Sequence, residues 1–127
     1  MVGDTSALIR HDTVMFEYDV LDMERAVAWY RDIFSFEIVY GPYPCHTEFA
    51  LPVQGARLAL SLASPDTQIR KGPRLFIPTT DVHAVEAYLH GKGAKTRPIE
   101  RVDDAVLILW VLDSEGNHLA FEQWLDR

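Results

Sequence analysis

MFEYDVLDMERAVAWYRDIF, running from Met15 to Phe34, decides the fold. At its start Phe16, Tyr18 and Val20 alternate with Met15, Glu17 and Asp19, the period-two pattern of a strand with one apolar face. Asp22 follows, a side chain suited to accept from the free N–H groups of a helix start. Ala26, Val27, Trp29, Tyr30, Ile33 and Phe34 then recur at helical spacing. The stretch predicts a strand over Met15–Val20 and a helix that covers it and ends about Phe34.

Outward from there, Phe36 to Tyr40, Thr47 to Leu51 and Arg57 to Ala63 are short apolar runs of strand length, with a Gln54-Gly55 turn signal before the last. A polar, turn-rich segment from Pro65 to Pro73 separates this half from a second one. There the order restarts: a strand over Arg74–Thr79, Asp81 as helix cap, and a helix face of Val82, Val85, Ala87, Tyr88 and Leu89. Gly91 and Gly93 end that helix. Strands over Thr96–Arg101, Ala105–Leu112 and His118–Trp124 follow, the last two separated by the turn Asp113-Ser114-Glu115-Gly116-Asn117. Asp22 and Asp81 stand 59 residues apart, as do Trp29 and Tyr88. The expectation is a single α+β domain over residues 1–127, made of two βαβββ modules at about 12–64 and 73–125. Chance agreement within an ordinary α+β domain is the alternative.

The chain is one domain's length, 127 residues, and is 48% hydrophobic, which sets it apart from disordered segments. Its net charge of −7 and the confinement of clustered basic residues to Arg70, Lys71 and Arg74 argue against nucleic acid, whose affinity comes from Lys and Arg displacing counterions. No apolar run reaches membrane-spanning length, and the first residues lack the basic-then-apolar order of a secretory signal. With Cys45 the single cysteine, no internal disulfide and no Cys-based zinc site can form, and a cytoplasmic setting without membrane contact is expected.

The run from Val20 to Phe36, with its Asp-capped helix ending Trp29-Tyr30-Arg31-Asp32-Ile33-Phe34-Ser35-Phe36, and the turn Asp113–Asn117 together resemble the vicinal oxygen chelate superfamily. That superfamily holds glyoxalase I, extradiol dioxygenases, fosfomycin resistance enzymes and bleomycin resistance proteins. The likeness spans nearly the whole chain; Ser35 stands where Gly is usual and Ser114 where Pro is usual. It implies two βαβββ modules forming a curved mixed sheet around a cleft, the glyoxalase/bleomycin resistance/dioxygenase fold. It also implies, in metal-dependent members, one ligand on the first and one on the last strand of each module. Those positions fall on Met15, Ala59, Arg74 and Ala120. A thioether, a guanidinium and two methyl groups do not offset the dehydration of a divalent ion, so neither metal nor other cofactor is expected.

With Met15 facing the cleft, strand alternation sets Glu17 and Asp19 beside it, Phe76 and Pro78 beside Arg74, and His118 and Glu122 on either side of Ala120. Trp110 is the leading binding candidate, an indole able to stack on a flat ligand or attract a cation; a core or dimer-interface role is the competing reading. Glu17, Asp19 and Glu122 are either solvated strand positions or a negative wall that favours a cationic ligand, with Arg74 opposing it. The candidate ligand-binding set is therefore Trp110, Phe76, Met15, Glu17, Asp19, Arg74, His118 and Glu122.

Other constellations are weaker. His46 with Glu48, and His118 with Glu122, share strand faces and admit a displaced metal site, but isolated pairs do not make one. Cys45 would be a reactive thiol if His46 lowered its pKa; His11 reads as loop. Similarity to bleomycin resistance proteins, acidic dimers that sequester a bulky cationic aromatic antibiotic, implies a metal-independent small-molecule-binding homodimer. The Pro42–Pro44 segment is then a lid or a subunit contact. A metal-dependent lyase, isomerase or dioxygenase with unconventional ligands is the alternative. A metal-free enzyme using Glu17 or His118 as general base is a third reading.

Overall fold

The structure, a computed structural model, describes residues 8–10, 12–64 and 74–125. His11, Arg70, Lys71 and the Pro65–Pro73 segment lie outside the described residues.

The stretch from Met15 to Phe34 forms strand β1 (Val14–Val20) and helix α1 (Met23–Phe34). Asp22 caps the helix, its side chain accepting from Arg25 N at 3.0 Å. Met23, Ala26, Val27, Tyr30 and Ile33 are its buried face, recurring every three or four residues as a helix packed along one stripe requires. The helix ends at Ser35, which takes the left-handed backbone, φ 56°, usually left to glycine.

Three strands complete the first sheet: β2 (Ile38–Tyr40), β3 (His46–Ala50) and β4 (Ala56–Leu62), in the order β1-β4-β3-β2, with β1 parallel to β4 and the other pairs antiparallel. Gly55 makes the β3–β4 connection possible: its φ is +80°, and a Cβ there would run into the backbone carbonyl of Asp12.

The second half gives β5 (Leu75–Pro78), α2 (Val82–Gly91), β6 (Lys95–Thr96), β7 (Glu100–Val102), β8 (Val106–Leu112) and β9 (His118–Trp124). Its sheet runs β5-β9-β8-β6, with β7 also on β8, and β5 is parallel to β9. Asp81 caps α2 through Ala84 N, as Asp22 caps α1. The single strand expected over Thr96–Arg101 is instead two short ones, because Pro98 has no N–H for the ladder and fixes its own φ. The helix face of α2 is narrower than expected: Val82 and Leu89 are buried, while Ala87 is exposed and Tyr88 is 47% exposed, its hydroxyl reaching across to donate to Ile33 O on α1 at 2.6 Å.

Both halves share one core, in which Tyr18, Val20, Leu58 and Leu60 of the first sheet cluster with Leu75, Leu109, Val111, Leu119 and Phe121 of the second and with both helices. Burial of each such side chain is worth roughly 2 kcal/mol. The architecture is α+β, two mixed sheets with two helices. No helix among the described residues is long and apolar enough to cross a membrane.

Candidate binding site

Strand alternation assigns the faces of the second sheet. Leu75, Ile77, Leu109, Val111, Leu119 and Phe121 join the core, so Arg74, Phe76, Trp110, Leu112, His118 and Ala120 point away from it. Trp110 sits opposite Ala120, and Phe76 opposite Ala120 from the other side. A methyl group between two rings leaves room for them to meet: Phe76 and Trp110 make an edge contact with centroids 5.3 Å apart. His118 touches the same indole, centroid to centroid at 6.3 Å, and the Arg74 guanidinium lies 5.3 Å from its centroid.

These groups border a hollow of about 510 Å³ lined by Arg74, Arg97, Trp110 and His118, with Tyr18, Gly116 and Asn117. Arg97 Nη2 is 3.3 Å from His118 Nε2. A guanidinium only donates, so Nε2 is the acceptor in this contact. Tyr18 reaches the hollow from the first sheet, donating to His118 O at 2.8 Å and accepting from Leu75 N at 2.9 Å. Burial pushes the Tyr18 phenol up to about 12; the bond from Leu75 N–H opposes this and the charge of Asp113 adds to it.

The acids of the Asp113–Asn117 turn are bonded within the protein and are not among the residues lining the hollow. Asp113 accepts from the Tyr30 hydroxyl at 2.7 Å, from the backbone of Glu115 and Asn117, and from the Asn117 amide. Burial first, and then the Asp113 charge, push the Tyr30 phenol well above its ordinary value. Glu115 accepts from Arg25 Nε at 2.7 Å and from the N–H groups of Leu21 and Asp22 at 2.9 Å each. Partial burial pushes its carboxyl up, but these bonds outweigh it and hold the group below the usual range.

Of the eight candidate residues, the structure brings Arg74, Trp110 and His118 to this hollow and sets Phe76 against its indole. Glu122 shares the face but stands two residues along from Ala120, opposite Pro78 and Ile108. Met15 lines a different hollow with Arg57 and Glu48, Glu17 is exposed opposite Ala59, and Asp19 is buried opposite Ser61. The acids read from sequence as a wall around Trp110 are thus not among the residues lining the hollow; two arginines are. Sequence reasoning missed Arg97, Tyr18, Gly116 and Asn117 as lining residues.

The other candidate constellations are occupied internally. His46 Nε2 bonds Glu48 at 2.9 Å and its Nδ1 bonds Ser61 Oγ at 3.1 Å, so neither ring nitrogen is turned to Cys45. Glu48 also pairs with Arg57 at 3.0 Å. Its carboxyl is held below the usual range by the bond from His46, with Arg57 adding and partial burial opposing. Pro42, Tyr43 and Pro44 border a third hollow against α1, beside Met23, Val27 and Arg31.

The metal positions implied by the resemblance do not fit an ion. Ala59 and Ala120 are fully buried methyl groups, Met15 and Arg74 offer no suitable donor, and the described residues contain no group of three or more His, Cys, Asp or Glu side chains able to hold a metal.

No family model matches the sequence, and no curated protein matches it. Solved structures do. An antibiotic-binding protein from Streptomyces sp. CB03234, TnmS3, superposes with a TM-score of 0.74 at 23% identity over 92% of this chain and 98% of its own. A glyoxalase/bleomycin resistance protein from Catenulispora acidiphila gives 0.70 at 21% identity over 87% and 96%. The chain has the glyoxalase/bleomycin resistance/dioxygenase fold. A lactoylglutathione lyase from Agrobacterium tumefaciens also has this fold, with a TM-score of 0.69 at 16% identity over 90% and 94%. The glyoxalase/bleomycin resistance/dioxygenase fold therefore carries binding proteins and enzymes alike, and the residues of the hollow must decide between them.

Proposed function

We infer that the protein binds a small aromatic molecule in the Trp110 hollow, without a metal, and sequesters it rather than transforming it. The observation that carries this reading is the placement of the Trp110 indole outside the core, held edge-on by Phe76 and covered on one side by Arg74. A flat ligand stacking there gains about 1 kcal/mol per aromatic contact beyond the area it buries. A hollow of about 510 Å³ is of the size that takes a drug-sized molecule. The structural likeness to an antibiotic-binding protein supports the same reading, as does a donor set unsuited to a divalent ion.

The protein acts as a homodimer in this reading. Met15 and Phe76, 47% and 41% exposed on the outward faces of the two sheets, are apolar surface that a second copy would cover. Sedimentation at micromolar concentration tests it, a monomer being the contrary result.

Titration of tryptophan fluorescence with a panel of polycyclic aromatic antibiotics, basic, neutral and acidic, tests the function. Saturable quenching by at least one compound, lost in Trp110→Ala, is the expected result. No response in the wild type across the panel, or an equal response in Trp110→Ala, contradicts it.

A further inference from the structure

We propose that the hollow selects an aromatic ligand bearing an anionic group, a carboxylate, sulfonate or phosphate. The proposal rests on the binding reading above and adds the sign of the ligand's charge. The chain as a whole carries −7, yet the permanently charged side chains lining the hollow are Arg74 and Arg97. Four arginines elsewhere are paired: Arg10, Arg25, Arg57 and Arg101 with Asp12, Glu115, Glu48 and Asp104 at 2.8, 2.7, 3.0 and 2.9 Å. Among the described residues no carboxylate pairs with either arginine of the hollow; Arg74 lies over the Trp110 ring and Arg97 donates to His118.

The acids of the neighbouring turn are committed. Asp113 and Glu115 belong to the turn that supplies Gly116 and Asn117 to the hollow, and both spend their oxygens on Tyr30, Asn117, Arg25 and backbone N–H groups. A cationic ligand stacked on Trp110 would meet two like charges, and no carboxylate is among the described residues lining the hollow. An anionic substituent on the same ring system would pair with both, and a guanidinium fork matches carboxylate, sulfonate and phosphate geometry. With Nε2 facing Arg97, His118 has Nδ1 left as a further polar group.

Two dyes with one aromatic body separate charge from stacking. Anilinonaphthalene sulfonate carries the anion; phenylnaphthylamine is the same ring system without it. The wild type is expected to bind the sulfonate at least tenfold more tightly, with added salt narrowing the difference. Arg97→Gln and Arg74→Gln are each expected to weaken the sulfonate several-fold and the neutral dye much less, while Trp110→Ala weakens both alike. Thermal melts of each variant separate lost affinity from lost fold. Equal affinity for the two dyes, or arginine variants that leave the sulfonate untouched, overturns the charge preference and leaves aromatic binding standing. Failure of both dyes to bind overturns the two together.

Discussion

The Tyr18 hydroxyl, on the first sheet, donates to the carbonyl of His118 on the second at 2.8 Å. It also accepts from Leu75 N, so one side chain satisfies two backbone groups beside the hollow and ties the halves of the chain together. Tyr18→Phe leaves both groups without their partner and is expected to cost about 1–3 kcal/mol, read by urea unfolding. The phenol is raised in the folded protein to about 12 from 10.0, so its contribution is complete below pH 10 and is lost as pH rises through about 12. The Phe variant should lose stability less steeply across that interval.

Glu115 gives the opposite sign. Its carboxyl is lowered from 4.5 in the folded state, so its contribution is complete above pH 4.5 and fades as pH falls through the lower folded value. Glu115→Gln removes the charge that answers Arg25 and weakens the acceptor for the Leu21 and Asp22 N–H groups. The expected outcome is a loss of roughly 1–3 kcal/mol at neutral pH, together with a flatter acid limb in stability measured against pH.

Ser35 ends α1 with φ 56°. A side chain in that conformation costs about 1 kcal/mol that glycine avoids. Ser35→Gly is therefore expected to stabilise the protein by about that amount, measured as a rise in melting temperature, with dye binding unchanged.

Gly55 is the converse case. Its φ of +80° and the close Asp12 carbonyl leave no place for a methyl group. Gly55→Ala is expected to cost about 2 kcal/mol or more, since backbone strain and a clash with main chain add. A melting temperature equal to wild type would contradict this account of the turn.

The fold was legible where period and cap agreed. Phe16, Tyr18 and Val20 alternate cleanly, Asp22 and Asp81 stand where a helix needs an acceptor, and the pairings of β1 with β4 and β5 with β9 repeat the same plan in each half. The break at Pro98 was visible as a proline inside an apparent strand, and the interruption is the ordinary consequence of its missing N–H.

The site was legible only in part, because alternation reports which face a side chain takes and not where two sheets leave space. Trp110, His118 and Arg74 share the face that alternation assigns and border the hollow. Glu122 has the right face but stands too far along its strand. Arg97 immediately precedes the proline that splits the strand, so its direction follows from an irregular backbone that no period describes. Tyr18 belongs to the core by its ring and to the hollow by its hydroxyl, a division that hydrophobic patterning does not register.

The most direct test of the account reads the three indole N–H signals separately by NMR while anilinonaphthalene sulfonate is added to the labelled protein. The indole of Trp110 should shift saturably, with the backbone signals of Arg97, His118 and Asn117 following the same curve, while Trp29, packed between Tyr30 and Phe34, stays in place. Shifts centred on the surface of α1 beside Tyr43, or no saturable shift at Trp110, would contradict the claim that this hollow is where the protein binds.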